Sequence, residues 1–181
     1  MREAIINKTI TSLKKRLEES NNIIKIQNEE GFVTDATFTF NEPLTDKEIN
    51  QFMQKLGYEL PDDYKAFLKI CNGCSLFDHP VYGGESYLYK LEDILSLTYE
   101  DPSEGYLKLG YFYQDNIVID LKKYKDGQSN YLLVKGHIDH FYEAREINMN
   151  FELWFDRFIM CQGSKFWNWS LYTADNYYRL R

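Results

Sequence analysis

The spacing of apolar residues predicts a helix over residues 2–20, because aliphatic side chains recur at helical intervals with charged residues between them. Two stretches rich in β-branched and aromatic residues follow, IIKIQ and FVTDATFTF, with a Glu-Glu-Gly turn between them. Residues 1–43 are therefore predicted to form an amphipathic helix and a strand pair. The apolar positions of the helix are Ile5, Ile6, Ile10, Leu13 and Leu17.

Two helices are predicted in the next segment. Thr45 and Glu48 have the spacing of a capping box, in which each side chain bonds the backbone N–H of the other residue, and Gly57 ends that helix. The second helix is predicted to take Pro61 as its first residue, because the fixed φ of proline suits that position. Asn72-Gly73 is predicted to end it in a left-handed conformation.

From Gly73 to about residue 136, the pattern predicts strands with turns between them. The strands are SYLYKL, YLKLGYFY, NIVIDLKK and NYLLVKG. The connections are too short for crossover helices, so the sheet is predicted to be antiparallel. A last helix is predicted near residues 150–161, with Asn150 as its cap, and the aromatic tail 161–181 is expected to pack back on the domain.

Composition limits the class of protein. A chain of 181 residues, 44% of them hydrophobic, is expected to form a single domain over 1–181. No apolar run of about 18 residues could span a membrane, and the N-terminus has no uninterrupted apolar stretch of the kind found in secretory signals. We therefore expect a cytoplasmic protein without a membrane partner. The net charge of −7 disfavours direct binding to nucleic acid and favours a basic partner.

Two groups of side chains suggest metal or redox chemistry. Cys71 and Cys74 have CxxC spacing, but a predicted helix C-terminus disfavours a thiolate, so one core thiol and one turn residue are expected. His137, His140 and Glu143 would face one metal ion if their segment were helical. The favoured interpretation is a polar connection, so no metal or cofactor is expected.

Catalytic motifs are absent from the sequence. It has no Gly-x-Ser-x-Gly elbow and no glycine-rich phosphate loop, so no catalytic residue is assigned and a non-enzyme is expected. An enzyme or small-molecule-binding protein with a pocket on the sheet remains the alternative. The residues to inspect for such a pocket are Tyr111, Asp115, Asp120 and His137.

The stretch LTDKEINQFMQKLGYELPDDYKAFLKICNG resembles the signature of the SUKH superfamily, the group related to the yeast Smi/Knr cell-wall regulators. In that pattern, Leu-Thr opens a helix, and Leu-Pro-x-Asp-Tyr-x-x-Phe-Leu precedes a closing Asn-Gly. The resemblance covers about 44–160, which leaves the N-terminal extension 1–43 and the tail 161–181 outside it. The signature residues, for which mainly structural roles are expected, are Leu60, Pro61, Asp63, Tyr64, Phe67, Leu68, Asn72 and Gly73.

The resemblance implies an α+β fold, with helices packed on one side of an antiparallel sheet, and a non-catalytic protein-binding role. Bacterial members are mostly regarded as immunity proteins that neutralise a cognate toxin, and many such toxins are nucleases or otherwise modify nucleic acid. An immunity protein is therefore the leading expectation. A regulatory adaptor unrelated to toxins is the alternative within the same class.

A partner-binding surface is expected where acidic residues lie next to tyrosines, because aromatic side chains anchor a contact and carboxylates steer it. The competing interpretation is that these tyrosines are half-buried strand residues and the charges form a solvated rim. The residues are Glu92, Asp93, Tyr99, Glu100, Asp101, Glu104, Tyr113 and Asp115.

Overall fold

The computed structural model describes residues 5–98 and 104–177. Across them runs one antiparallel sheet of eight strands in sequential order, so the α+β class predicted from the sequence is confirmed. The strands are β1 (Ile24–Gln27), β2 (Val33–Phe40), β3 (Cys74–Asp78), β4 (Ser86–Leu88), β5 (Tyr106–Phe112), β6 (Asp115–Asp120), β7 (Leu132–Gly136) and β8 (Arg145–Glu146). The helices are α1 (Ile5–Glu19), α2 (Asp46–Leu56), α3 (Asp62–Leu68), α4 (Leu91–Leu97), α5 (Leu121–Lys125) and α6 (Phe151–Met160).

The main hydrophobic core lies between the helices and one face of the sheet. α1 contacts both α3 and α6, and its buried residues Ile6, Ile10, Leu13 and Leu17 confirm the predicted apolar stripe. The core continues without interruption into the tail, where Trp167 is only 4% exposed. No helix in the described ranges is long and apolar enough to cross a membrane.

The aromatic tail packs back on the domain, as predicted, over residues 161–177, the part that the structure describes. The Trp167 ring contacts Trp154 and Phe158 of α6, with ring centroids 6.1 and 5.8 Å away. Its Nε1 donates a hydrogen bond of 2.9 Å to Asp115 Oδ2. Lys165 Nζ lies 3.2 Å from the same carboxylate oxygen. The tail is thus held by both ring packing and polar contacts.

The predicted capping box of α2 is present. Thr45 Oγ1 accepts a hydrogen bond of 3.3 Å from Glu48 N, and Glu48 Oε2 accepts one of 2.8 Å from Thr45 N. The bonds from Thr45 lower the pKa of the Glu48 carboxyl, because they stabilise its charged form. Gly57, with a φ of +74°, ends the helix as predicted.

The predicted boundaries of α3 were wrong at both ends. Pro61 is the N-cap, with a ψ of 141°, so Asp62 is the first helical residue, and the helix ends at Leu68. Gly73 does have a φ of +79°, but it leads into β3 and does not end the helix. A Cβ atom at Gly73 would lie 2.7 Å from the carbonyl oxygens of Leu88 and Tyr89. The glycine therefore allows the backbone of β3 to approach the chain that leaves β4.

Several strand predictions also require correction. β3 was not predicted, because the last two of its five residues belong to the turn-forming sequence FDHPVYGG. The stretch SYLYKL leaves the sheet after Leu88, and α4 begins at Leu91. The stretch NIVIDLKK ends as a strand at Asp120, whose side chain accepts hydrogen bonds of 3.0 Å from Lys122 N and Lys123 N and so starts α5.

Candidate protein-interaction surface

The topology of the sheet separates its connections into two groups. In a sequential antiparallel sheet, successive connections alternate between the two ends of the strands. The connections at one end contain α2 with α3, α4, and α5. Those at the other end carry no α-helix, and we call this second group the loop rim. Its four loops are residues 28–32, 79–85, 113–114 and 137–144.

Hydrogen bonds join neighbouring parts of the loop rim. Tyr113 N donates to the carbonyl oxygen of Glu85 at 3.0 Å, and His137 N donates to that of Gln114 at 2.6 Å. These bonds link the second loop to the third and the third to the fourth. The tail joins the first loop through Trp169, whose Nε1 donates to Glu29 Oε1 at 3.1 Å.

Large apolar side chains are exposed along the loop rim. Of the eleven exposed large hydrophobic residues found in the described ranges, six lie in the four loops and none lies in the connections at the opposite end. Tyr82 is 86% exposed and stacks on the His79 ring at 4.7 Å. The six are Phe32, Val81, Tyr82, Tyr113, Ile138 and Tyr142.

The turn between β5 and β6 carries one of these rings. Phe112 and Asp115 are paired, so Tyr113 and Gln114 form a two-residue turn. Their φ values are +46° and +71°. Such turns usually carry asparagine or glycine, because other residues are strained there. Tyr113 is therefore held at the tip of the hairpin in a conformation that its own preference does not favour.

A cleft of about 480 Å³ opens beside the loop rim. β1, β2, the loop after β3 and the tail form its walls, with Ile26, Phe77, Tyr113 and Tyr172 among the apolar lining residues. β1, β2 and the tail belong to the segments 1–43 and 161–181, whereas the loop after β3 and Tyr113 belong to the SUKH-like signature region. The cleft thus lies where the two extensions meet that region.

The predicted partner-binding residues are divided between the two ends of the sheet. Tyr113 lies in the loop rim, and Asp115 starts the strand beside it. Glu92 and Asp93 lie in α4, and Glu104 precedes β5, at the opposite end. The seven residues of β5 separate the two groups by roughly 20 Å at about 3.3 Å per residue. Tyr99, Glu100 and Asp101 lie outside the described residues.

Two of these predicted acids take part in internal contacts. The Asp115 side chain is 18% exposed and binds Lys165 and Trp167 of the tail. Glu92 Oε2 accepts a hydrogen bond of 2.8 Å from Asn72 Nδ2. Asp93 and Glu104 are exposed. The assignment of this set to partner binding stays a prediction.

Asp63 links helices that are distant in sequence. Its carboxylate accepts hydrogen bonds from the hydroxyl of Tyr131, from Glu152 N at 3.0 Å and from Tyr64 N at 2.9 Å. The Tyr131 hydroxyl in turn accepts a bond of 3.1 Å from Phe151 N. α3, the start of β7 and the first turn of α6 therefore meet at this one carboxylate.

Asn72 has a similar role at the start of α4. Its Oδ1 accepts a hydrogen bond of 2.8 Å from Leu91 N, the first residue of that helix. Its carbonyl oxygen accepts one of 3.0 Å from Asn41 Nδ2. The remaining signature side chains, Leu60, Tyr64, Phe67 and Leu68, are completely buried.

The four residues singled out for a small-molecule pocket do not form one site. Tyr111 and His137 are in contact, with ring centroids 5.1 Å apart. His137 Nδ1 also lies 3.2 Å from Oδ1 of Asn116, a buried residue that the sequence interpretation missed. Asp115 binds the tail and Asp120 caps α5 at the other end of its strand.

The cysteines are free thiols within the fold. Cys71 and Cys74 are both buried, and Cys71 Sγ donates to the carbonyl oxygen of Gly73 at 2.8 Å. Cys74 is the first residue of β3, so its prediction as a turn residue was wrong. Burial raises the pKa of its thiol, because it disfavours the thiolate.

The histidine segment after β7 is not an α-helix. It is a loop that includes a 3-10 turn at Phe141–Glu143. Glu143 Oε2 accepts a hydrogen bond of 2.8 Å from His140 N, and Asp139 Oδ2 accepts one of 2.9 Å from Gly136 N. Among the residues described, no three His, Cys, Asp or Glu side chains come together as a metal site.

The sequence interpretation missed most of the loop rim. Only Tyr113 of the six exposed apolar residues belongs to the predicted partner-binding set, because that prediction rests on acidic residues beside tyrosines. The sequence does indicate one part of this surface. In the loop after β3, the large apolar residues Val81 and Tyr82 lie between the turn-forming residues Pro80 and Gly83. Turn-forming sequences are usually polar, so large apolar residues inside one indicate a contact made outside the chain.

Comparison with known proteins identifies related chains. A model described as the SMI1 / KNR4 family (SUKH-1) matches residues 43–157. Uncharacterized protein YobM of Bacillus subtilis (strain 168) is 35% identical over 185 residues, which cover 97% of this chain and 98% of that protein. Uncharacterized protein YnaB of the same organism is 38% identical over 147 residues, or 81% and 96% of the two chains.

Proposed function

Because this chain belongs to the SMI1/KNR4 family (SUKH-1), we propose that it is a bacterial immunity protein, which binds a cognate toxin and neutralises it. The family is compatible with immunity and with other protein-interaction roles, and it is generally non-catalytic. The proposal selects immunity from these roles. The protein would act by stoichiometric binding and would cover the active site of the toxin or another surface that the toxin needs.

The exposed apolar side chains of the loop rim are the observation that carries the proposal. Large apolar groups that are exposed on one part of a soluble protein commonly mark a contact with another protein. Six of them occupy the four loops at one end of the sheet here. Loops at the end of a rigid sheet suit this role, because they can change without disturbing the core.

The signature residues support the same interpretation by their structural roles. Asp63 and Asn72 are the polar members with the most contacts, and each is bonded to backbone groups of other elements. The four residues proposed for a pocket do not form one site, as described above. The chemistry of the signature is thus used to build the scaffold, and the loop rim is left to bind a partner.

Co-expression with a toxin encoded beside this gene tests the proposed function. We expect the toxin alone to stop growth, growth to be restored when both proteins are made, and a stoichiometric complex to be recovered from those cells. Cells that make the toxin and carry an empty vector in place of this gene are the negative control. Continued growth arrest with the folded protein, and no complex on purification, would refute the immunity role.

A further inference from the structure

The charges of the loop rim have one sign. The four loops hold 22 residues, with five acidic side chains and no lysine or arginine. The described residues of the three connections at the opposite end, 41–73, 89–98 with 104–105, and 121–131, include ten acidic and eight basic side chains. The rim therefore differs from the other end in the absence of cations. Its acids are Glu29, Glu30, Glu85, Asp139 and Glu143.

Three lysines near the loop rim, among the residues that the structure describes, are engaged in contacts within the fold. Lys25 binds Asp35 at 3.0 Å, and Lys165 binds Asp115 at 3.2 Å. Lys135 is 8% exposed, and its ammonium donates to carbonyl oxygens of the loop after β7. These cations are paired within the fold. Glu30 and Glu85 are exposed in the loops.

We infer that the loop rim docks a basic surface of a protein partner, with the exposed aromatic rings as anchors and the carboxylates as steering charges. This inference rests on the proposed function, since it names the surface and the partner chemistry that immunity would use. Aromatic side chains supply much of the binding energy at protein interfaces. Carboxylates speed the approach of a positively charged partner.

The charge pattern favours this partner over the other occupants of such a surface. Nucleic acid and an anionic membrane would both meet charge of their own sign. A second copy of the chain would place the same patch against itself in a twofold dimer. The loops hold no lysine or arginine to pair with the five carboxylates across that contact. A basic protein surface satisfies both the apolar and the acidic groups.

Site-specific photo-crosslinking in cells of the source organism tests the location. Benzoylphenylalanine is placed at Tyr82 in the loop rim or, as a control, at Gln51, an exposed position in α2 at the opposite end. We expect the Tyr82 position to give a covalent adduct with one protein of isoelectric point above about 9, and the Gln51 position to give none. An acidic partner, equal adducts at both positions or no adduct at Tyr82 would overturn the inference.

Matched charge variants of the purified protein test the chemistry against the captured protein. Glu30→Gln/Glu85→Gln removes two charges from the loop rim, and Asp93→Asn/Glu104→Gln removes two from the opposite end. In about 50 mM salt, we expect the first pair to slow association at least about threefold and the second pair less than about 1.5-fold. Equal slowing by the two pairs would mean that net charge acts without a defined surface, and would refute the rim as the docking site.

The outcomes separate this inference from the proposed function. A basic protein captured at Tyr82 that is harmless when produced alone would support the docking surface and refute the immunity role. A toxin that is neutralised normally by the Glu30→Gln/Glu85→Gln protein, and is crosslinked only through Gln51, would support immunity and refute the docking surface.

Discussion

At the scale of single residues, two polar side chains of the signature make hydrogen bonds, and the hydroxyl of a third makes none with the described residues. Asp63 and Asn72 each bond backbone groups far away in the sequence. The Tyr64 hydroxyl is fully buried and has no hydrogen-bond partner among the described residues. Burial raises the pKa of this phenol, because the phenolate would be desolvated. The Tyr64 ring contributes packing, while its hydroxyl costs free energy.

Replacing Tyr64 separates these two contributions. The ring packs on Phe67 and Phe151, with centroids 6.0 and 5.0 Å away. We expect Tyr64→Ala to lower the free energy of unfolding by about 3 kcal/mol, because it leaves a cavity. Tyr64→Phe should leave the free energy of unfolding unchanged or raise it by about 1 kcal/mol, because it removes an unpaired buried group. Chemical denaturation of the three proteins measures both values. A loss of more than about 1 kcal/mol in Tyr64→Phe would show that the hydroxyl has a partner.

At the scale of elements, the first residues of two short helices, α4 and α5, donate hydrogen bonds to side chains outside the helix. α4 starts where Asn72 accepts a hydrogen bond from Leu91 N, and these two residues are 19 positions apart. α5, in contrast, is capped by the residue directly before it, because the Asp120 side chain accepts hydrogen bonds from Lys122 N and Lys123 N. The close approach at Gly73 brings the chain before β3 against the chain after β4. The positions of α4 and β3 are therefore coupled through Asn72 and Gly73.

The glycines of this region provide a matched comparison. Gly57 and Gly73 both have a positive φ, but a Cβ atom at Gly57 would have open space within 4 Å. We expect Gly57→Ala to cost about 1–2 kcal/mol of unfolding free energy, from backbone strain alone. Gly73→Ala should cost about 2 kcal/mol more, because its Cβ would also strike two carbonyl oxygens. Urea denaturation compares the two, and equal losses would contradict the role given to the close approach.

At the scale of the whole molecule, the segments outside the SUKH-like signature region are part of the same packed structure. α1 contacts α6, and Ile5 N donates to Glu152 Oε2 at 2.9 Å. The tail returns across the sheet to Asp115. The hydrophobic core includes residues from both segments. That the chain folds as a single domain over 1–181 stays a prediction, and the continuous core supports it.

Two tryptophans of the tail test whether its packing stabilises the molecule. Trp167 is buried against α6, whereas Trp169 is 49% exposed near the loop rim. We expect Trp167→Ala to lower the free energy of unfolding by about 3–5 kcal/mol, and Trp169→Ala to lower it by less than about 1 kcal/mol. Thermal and chemical denaturation check both variants. Similar stability of the two would mean that the tail packs without supporting the fold.

Local patterns in the sequence determined the elements whose contacts are themselves local. The capping box of α2 spans three residues, and the stripe of α1 repeats within a single helix. The Asn150 cap also lies three residues from its partner Leu153. Each of these features depends on hydrogen bonds or packing between near neighbours, so residue type and spacing were enough to predict it.

Only the tertiary structure decided where the functional surface lies. The loop rim joins residues from position 28 to position 144, and no local pattern states which loops share an end of a sheet. Strand order, and a strand as short as β3, had to be known first, because one missed strand reverses the end assigned to every later connection. The internal roles of Asp63 and Asp115 could not be predicted for the same reason, since their partners lie 89 and 52 residues away in the sequence. Long-range contacts depend on how the whole chain packs, and the sequence pattern records only the local part of that packing.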